Sequence, residues 1–169
     1  MKVSVPLENG YLADQYSKYA AKNQRDANGP IISFPITVQD LPTNTKTWGL
    51  TLLDFDAVPV SGFPWIHWLA TNISATTTQL PANASRNLAT QFVQGKNSLA
   101  SPFIDNTDQL ATERYTGPTP PDKTHLYQLT VYALDKKLAL TNGYWLNEFY
   151  HAIQNHILAE AQIDLPSRA

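Results

Sequence analysis

A series of short alternating apolar segments most strongly limits what this chain can fold into. These segments occupy residues 32–38, 47–55, 65–73 and 125–135, and turns rich in Pro, Gly, Asn and Thr separate them. Parallel βαβ units would require amphipathic helices between the strands, and the sequence shows none there. The pattern therefore predicts an all-β core built as an antiparallel sandwich, in a single domain that covers residues 1–169.

The last part of the chain follows a helical period instead. Apolar residues recur there at spacings of three and four: Leu146, Phe149, Ile153 and Ile157. Pro166 follows the end of this pattern, where a helix would stop. The spacing predicts a C-terminal α-helix from Tyr144 to Gln162. A weaker pattern predicts a shorter helix over residues 12–21.

Residues 80–124 carry few signals of regular secondary structure. Loops of this length are uncommon in compact domains and often have a function. The segment ends in Pro118, Pro120 and Pro121, which stiffen the backbone just before His125. A stiff loop that leads into a strand is suited to form one wall of a pocket.

Composition and charge argue against several classes of function. The net charge is −2 and no block of like charges occurs, which argues against nucleic acid as a partner. There is no cysteine, so disulfides, thiolate catalysis and Cys-based zinc sites are excluded. No apolar run suits a signal peptide or a membrane span of about 20 residues. We therefore expect a cytoplasmic protein without stable membrane insertion.

Acid and imidazole side chains lie on strands that otherwise have the pattern of core strands. Alternation places Asp54 at the end of one apolar face and groups His125 with Tyr127 at the start of another. It also predicts one shared face for Trp65, His67, Leu69 and Thr71. Buried polar groups need partners, so we expect the acid and the imidazole rings to pair. The sequence is also compatible with each of these side chains having its own separate hydrogen-bond partner, in the core or on a loop.

Standard catalytic motifs are absent from the chain. There is no GxSxG, GxxxxGK[ST] or GxGxxG motif, which argues against an α/β-hydrolase triad and against the nucleotide-binding loops of those kinds. His151 and His156 are five residues apart on the predicted helix, so they point in different directions and do not suit a shared metal.

One set of side chains supports an alternative function. Asp54 and Asp56, together with His67 and His125, could form a mixed oxygen and nitrogen metal site. The alternative is a hydrolase in which one of these histidines acts as the base, with or without a metal.

Three sequence blocks occur in a fixed order. They are DFDAVP at residues 54–59, WIHW at 65–68, and GPTPP at 117–121 followed by HLY at 125–127 and VYALD at 131–135. In these blocks the chain resembles the phosphatidylethanolamine-binding protein family, in its bacterial branch named after the Raf kinase inhibitor protein. Two departures concern the first block, where Phe55 replaces a proline and Val58 is an extra residue. We expect these changes to alter the turn after Asp56 and the rim of the pocket.

The resemblance implies a sandwich of two antiparallel sheets with a C-terminal α-helix and a small anion pocket. By position, the residues that would line the pocket are Asp54, Asp56, Trp65, His67, Pro120, Pro121, His125 and Tyr127. The ligands implied are phosphate, phosphoryl head groups or carboxylates. In our interpretation the histidines, the Tyr127 hydroxyl and loop N–H groups donate to the anion. Asp54 or Asp56 then keeps an imidazole oriented and protonated.

We therefore expect a non-enzymatic binding protein that uses no cofactor and takes a small phosphorylated or carboxylated ligand. Modulation of a protein partner is a further expectation. In a second alternative the pocket binds no ligand, and the C-terminal helix or a sheet face forms the contact of a homodimer.

Overall fold

The predicted strands over residues 47–55, 65–73 and 125–135 form the centre of the molecule. In the computed structural model, which describes residues 1–169, they are β5 (Thr47–Asp54), β6 (Trp65–Ser74) and β9 (His125–Leu134). The other strands are β1 (Lys2–Ser4), β2 (Arg25–Asp26), β3 (Gly29–Pro30), β4 (Ile36–Gln39), β7 (Gln79–Leu80), β8 (Val93–Gln94) and β10 (Ile157–Ser167). The α-helices are α1 (Val58–Ser61), α2 (Ala84–Asn87), α3 (Gln109–Thr112) and α4 (Leu146–Ile153). Single 3-10 turns cover Asp14–Tyr16, Lys22–Gln24 and Ser98–Ala100.

The strands form two main antiparallel sheets. The larger sheet has the order β10-β9-β5-β6-β8, and the smaller one has the order β1-β4-β7. β2 and β3 pair separately as a short hairpin. The predicted all-β core with antiparallel sheets is confirmed.

The main core fills the space between the two sheets. Ile36 and Val38 of β4 pack there with Trp48, Leu50 and Leu52 of β5. These three β5 residues alternate along the strand, as the period-two pattern predicts. A second, smaller cluster lies on the other face of the large sheet, where α4 packs. Its members are Leu69, Tyr132, Leu134, Leu138, Tyr144, Phe149 and Ile153.

The predicted C-terminal helix is confirmed only in its first half. α4 ends at Ile153, and Asn155 then adopts a left-handed conformation with φ of 67°, which interrupts the helix. From Ile157 the chain forms β10 and pairs along the whole edge of β9. After residue 156 the apolar residues fit both the alternating period of a strand and the spacing of a helix. The segment forms a strand because it can pair with the free edge of β9. None of the helices is both long and apolar enough to cross a membrane.

Two further boundaries differ from the prediction. Residues 12–21 form no α-helix and contain only the 3-10 turn Asp14–Tyr16. The strand predicted over residues 32–38 begins at Ile36, directly after Pro35, which has no N–H to donate to a neighbouring strand.

Side-chain hydrogen bonds hold the long segment at residues 80–124 in place of regular secondary structure. Ser85, fully buried, donates to Gln94 Oε1 at 2.7 Å and accepts from the backbone N–H of Tyr115 at 2.8 Å. Gln94 Oε1 also accepts from the indole N–H of Trp68 at 2.9 Å. This network ties the segment to β6 of the large sheet.

Replacing Ser85 with alanine is expected to lower the free energy of unfolding by about 1–3 kcal/mol. The substitution leaves the N–H of Tyr115 buried without an acceptor, and removes one donor from Gln94. Urea denaturation measures the change. Ser74→Ala is the control, because Ser74 is exposed and its loss should stay within about 0.5 kcal/mol. Equal effects of the two substitutions would contradict the role of the network.

Candidate functional site

The antiparallel order brings the end of one strand beside the starts of two others. β5 ends at Asp54, which lies opposite Trp65 at the start of β6 and opposite Tyr127 near the start of β9. Directly opposite residues in antiparallel strands point to the same face. The sheet therefore gathers the side chains of Asp54, Trp65 and Tyr127 at one end of the main core.

A β-bulge brings His67 to this group. Leu52 lies opposite Trp68 and Leu53 opposite Ile66, so His67 is an extra residue on β6. The bulge breaks the predicted grouping of Trp65, His67, Leu69 and Thr71 on one face. Leu69 packs on the α4 side of the sheet, while His67 faces the pocket described below.

A cavity of about 200 Å³ opens at this end of the sheet. Its walls are formed by Asp54, Ala57, Val60, Ser61, Trp65, His67, Thr119, Pro120, Pro121, His125 and Tyr127. All of the residues predicted to line a pocket are present except Asp56. The Asp56 carboxylate instead accepts from the backbone N–H of Leu126 at 2.9 Å and lies 3.8 Å from the Lys123 ammonium.

The altered turn after Asp56 accounts for most of the lining residues that the sequence did not reveal. Val58, the extra residue, begins α1, and Gly62 ends this helix with a φ of 87°. α1 supplies Val60 and Ser61 to the pocket wall, and Ala57 precedes it. Outside the pocket, Phe63 stacks on Trp65 with ring centroids 6.0 Å apart, so the rim on this side is aromatic.

His125 is held between two carboxylates. Its Nδ1 lies 2.7 Å from Asp54 Oδ2, and its Nε2 lies 2.9 Å from Asp122 Oδ1. Burial lowers the pKa of His125, but the hydrogen bonds and charges of Asp54 and Asp122 outweigh this effect and raise it above the usual value. Asp54 also accepts from the N–H of Ala57 at 3.1 Å. The expected pairing of Asp54 with an imidazole is therefore present, and Asp122 is a partner that the sequence did not indicate.

His67 is in a different electrostatic state. Its Nδ1 lies 2.8 Å from the backbone carbonyl of Thr116, which can only accept, so Nδ1 carries the proton. Burial lowers the pKa of His67 to about 4, against smaller opposing effects of the Thr116 carbonyl and the Asp54 charge. At neutral pH the ring is thus uncharged, and Nε2 carries a lone pair.

These two environments change the interpretation of how an anion would be held. Both nitrogens of His125 are used by Asp54 and Asp122, and the one N–H of His67 is used by Thr116. Neither histidine presents a free N–H, contrary to the prediction that both donate. Tyr127 packs edge-on against the His67 ring at 4.9 Å, and burial, with the neighbouring Asp54 charge, raises the pKa of its hydroxyl. That hydroxyl stays protonated, and the Asp54 carboxylate is a neighbouring acceptor for it.

Three of the four side chains proposed for a metal line the cavity, namely Asp54, His67 and His125, whereas Asp56 lies outside it. Asp54 is committed to His125, and Asp56 to a backbone N–H outside the pocket. No group of three or more carboxylate or imidazole side chains is placed to hold a metal ion.

The GPTPP segment reaches the pocket by packing closely on the N-terminal part of the chain. The N–H of Gly117 donates to the Pro30 carbonyl at 2.8 Å, and Lys18 donates to the Pro120 carbonyl at 2.9 Å. A Cβ at position 117 would lie 2.6 Å from Pro30 Cβ and 2.7 Å from the Tyr16 carbonyl oxygen. Only glycine at position 117 therefore allows the two segments to pack this closely.

Gly117→Ala is therefore expected to lower the free energy of unfolding by about 1–3 kcal/mol, because the backbone must shift to relieve the overlap. Thermal and urea denaturation measure the loss. Thr124→Ala, at an exposed position of the same loop, should change stability by less than about 0.5 kcal/mol. A Gly117→Ala protein as stable as the Thr124→Ala protein would show that the loop is not packed in this way.

Comparison with known proteins agrees with this architecture. The chain is 49% identical over 160 residues to YxkA of Bacillus subtilis, covering 95% of both chains. It is 34% identical to a UPF0098 protein of Chlamydia pneumoniae, covering 80% of this chain and 81% of that one.

Two crystal structures share the fold. One is the phosphatidylethanolamine-binding protein homologue CT736 from Chlamydia trachomatis, with a TM-score of 0.78 and 25% identity over 99% of this chain and 97% of that one. The other is Escherichia coli YbcL, with a TM-score of 0.75 and 25% identity over 99% and 98% of the two chains. The family model for phosphatidylethanolamine-binding proteins matches residues 3–167. The chain belongs to the phosphatidylethanolamine-binding protein family.

Proposed function

We propose that this protein is a non-enzymatic binding protein whose pocket holds a small anion, namely phosphate, a phosphoryl head group or a carboxylate. The observation that carries the proposal is the cavity at the end of the large sheet, where a few fixed polar groups converge between apolar walls. Small-ligand sites commonly combine these two features.

The buried Asp54 is compatible with an anion because its charge is already balanced. One carboxylate oxygen accepts from His125, whose raised pKa favours the imidazolium form, and the other accepts from the N–H of Ala57. Asp54 therefore stabilises the pocket and does not present free oxygens to a ligand. In this proposal the Tyr127 hydroxyl, which lies on the pocket wall beside Asp54, donates to the anion. The indole N–H of Trp65 is a second donor on the wall and has no partner within the chain.

Nuclear magnetic resonance tests the proposal directly. We expect titration with phosphoethanolamine at pH 6 to shift the ring signals of His67 and His125 in a saturable way. His151 and His156 serve as internal controls, because both lie outside the pocket lining. Absence of saturable shifts up to millimolar ligand would reject the anion pocket.

A conservative variant and a turnover assay separate binding from hydrolysis. Tyr127→Phe keeps the ring against His67 and removes the hydroxyl, so we expect affinity to fall by about 3- to 10-fold. Tyr150→Phe, on the exposed side of α4, should leave the affinity unchanged. Phosphorus spectra of the same samples should show no release of phosphate. Release that is lost in His67→Asn would favour the hydrolase instead.

A further inference from the structure

The unpartnered nitrogen of His67 is the polar group of the pocket that constrains a ligand most. Thr116 fixes the proton on Nδ1, so Nε2 can accept a hydrogen bond but cannot donate one. Nε2 has no partner within the chain, yet it is not sealed from solvent, since the buried unpaired atoms do not include it. His67 is only 4% exposed and lines the cavity, so Nε2 opens towards the ligand space.

The surrounding groups cannot convert this acceptor into a donor at neutral pH. The charged and titratable groups around His67 are Asp54 on β5, His125 and Tyr127 on β9, and, behind His125, Asp122 on the loop. Asp54 is bonded to His125 and not to His67, so no carboxylate directly stabilises a second proton on His67. Burial keeps the pKa of His67 near 4 despite the Asp54 charge.

An oxyanion with no proton would therefore place its lone pairs against the lone pair of Nε2, which is unfavourable. An acid oxygen that keeps its proton would instead donate to Nε2 and satisfy both groups. The monoanion of a phosphomonoester has such an oxygen, because its second pKa is about 6. A phosphodiester monoanion has the same charge but no proton to give.

On the basis of the proposed function, we infer that the pocket selects the protonated monoanion of a phosphomonoester, which donates its P–OH hydrogen to His67 Nε2, and discriminates against phosphodiesters. His67 is then the residue that determines specificity. An intact phospholipid head group, joined through a diester, is a poorer ligand than a free or terminal phosphoryl group.

Two isomeric ligands provide a matched test. Ethyl phosphate and dimethyl phosphate have the same atoms, and at pH 5.5 both are mainly monoanions, but only ethyl phosphate carries a P–OH. Calorimetric titration at pH 5.5 should show ethyl phosphate binding about tenfold or more tightly than dimethyl phosphate. At pH 7.5 only about 3% of ethyl phosphate remains the monoanion, so this ratio should fall by roughly 20-fold. Dimethyl phosphate reports any pH effect that comes from His125 or another group of the protein.

His67→Asn tests the assigned residue. Asparagine retains a donor for the Thr116 carbonyl and removes Nε2, so the preference for ethyl phosphate at pH 5.5 should disappear, whereas His151→Asn should retain it. Equal affinities of the two isomers in the unaltered protein, or a preference that persists in folded His67→Asn, would overturn the inference and leave the anion pocket intact. Binding of neither isomer at either pH would overturn the proposed function as well. Should His67→Asn fail to fold, the comparison of isomers in the unaltered protein still decides.

Discussion

Asp54→Ala is expected to lower the free energy of unfolding by about 3 kcal/mol, near the lower end of the range for breaking a buried ion pair. The Asp54 side chain is 4% exposed and that of His125 is 1% exposed, so the substitution leaves an imidazolium and the N–H of Ala57 without their partner. His125 keeps its bond to Asp122, which is half exposed, and this limits the loss. Urea denaturation at pH 6 measures it.

The matched control for this substitution is Asp56→Ala. Asp56 is two residues away and partly exposed. Its ion pair with Lys123 is long, and the N–H of the exposed Leu126, which donates to it, can bond to water instead, so the loss should be about 1 kcal/mol. The pH dependence gives a second check. A raised pKa in the folded state means that His125 adds stability below its unfolded pKa of about 6.5, and that this stability is lost as pH rises through the raised value. The difference between the unaltered protein and Asp54→Ala should therefore shrink at pH 9, and a constant difference would contradict the ion pair.

His67 is expected to make the folded state less stable as pH falls, whereas His125 makes it less stable as pH rises. The unfolded chain binds a proton at this histidine near pH 6.5, whereas the folded chain resists it until about pH 4. Stability is therefore lost as pH falls from about 6.5 to 4, by a total of about 3 kcal/mol at 1.36 kcal/mol for each pKa unit. Denaturation curves measured at intervals from pH 7.5 to 4 reveal the loss.

His67→Asn should remove this contribution, so its stability should fall less steeply over the same range. Subtracting the two curves cancels the titration of the carboxylates that both proteins share. His151→Asn, on the exposed side of α4, should follow the unaltered protein. Parallel curves for His67→Asn and the unaltered protein would show that His67 is not held neutral by burial.

The central strands could be predicted because the alternation of apolar and polar residues is a local property of the sequence. Alternation identified β5, β6 and β9, and the antiparallel order then placed Asp54 beside Tyr127. The second half of the C-terminal segment was predicted wrongly because Ile153 and Ile157 fit a helical period. The choice after residue 156 depends on the free edge of β9, whose paired residues lie 23 to 42 positions earlier in the chain. No local pattern carries that information.

The protonation states of the two histidines could not be predicted from the sequence for a related reason. The bulge that turns His67 into the pocket depends on the register of β6 against β5. Its tautomer depends on the carbonyl of Thr116, a backbone atom that has no sequence signal. Asp122 is three residues before His125 in a loop, where spacing does not show which way a side chain points. Geometry therefore decides which histidine is charged.

The long sequence separation between the groups of the pocket has a consequence for folding. The bond between Asp54 and His125 joins residues 71 apart, and that between His67 and Thr116 joins residues 49 apart. Contacts of such separation form slowly, because each requires closure of a long loop. The pocket therefore exists only after β5 and β9 have paired, and an unfolded or partly folded chain has no equivalent of it. A molecule that enters the pocket binds the native state alone, so it raises the melting temperature of the whole domain in proportion to the logarithm of its concentration once the site is filled.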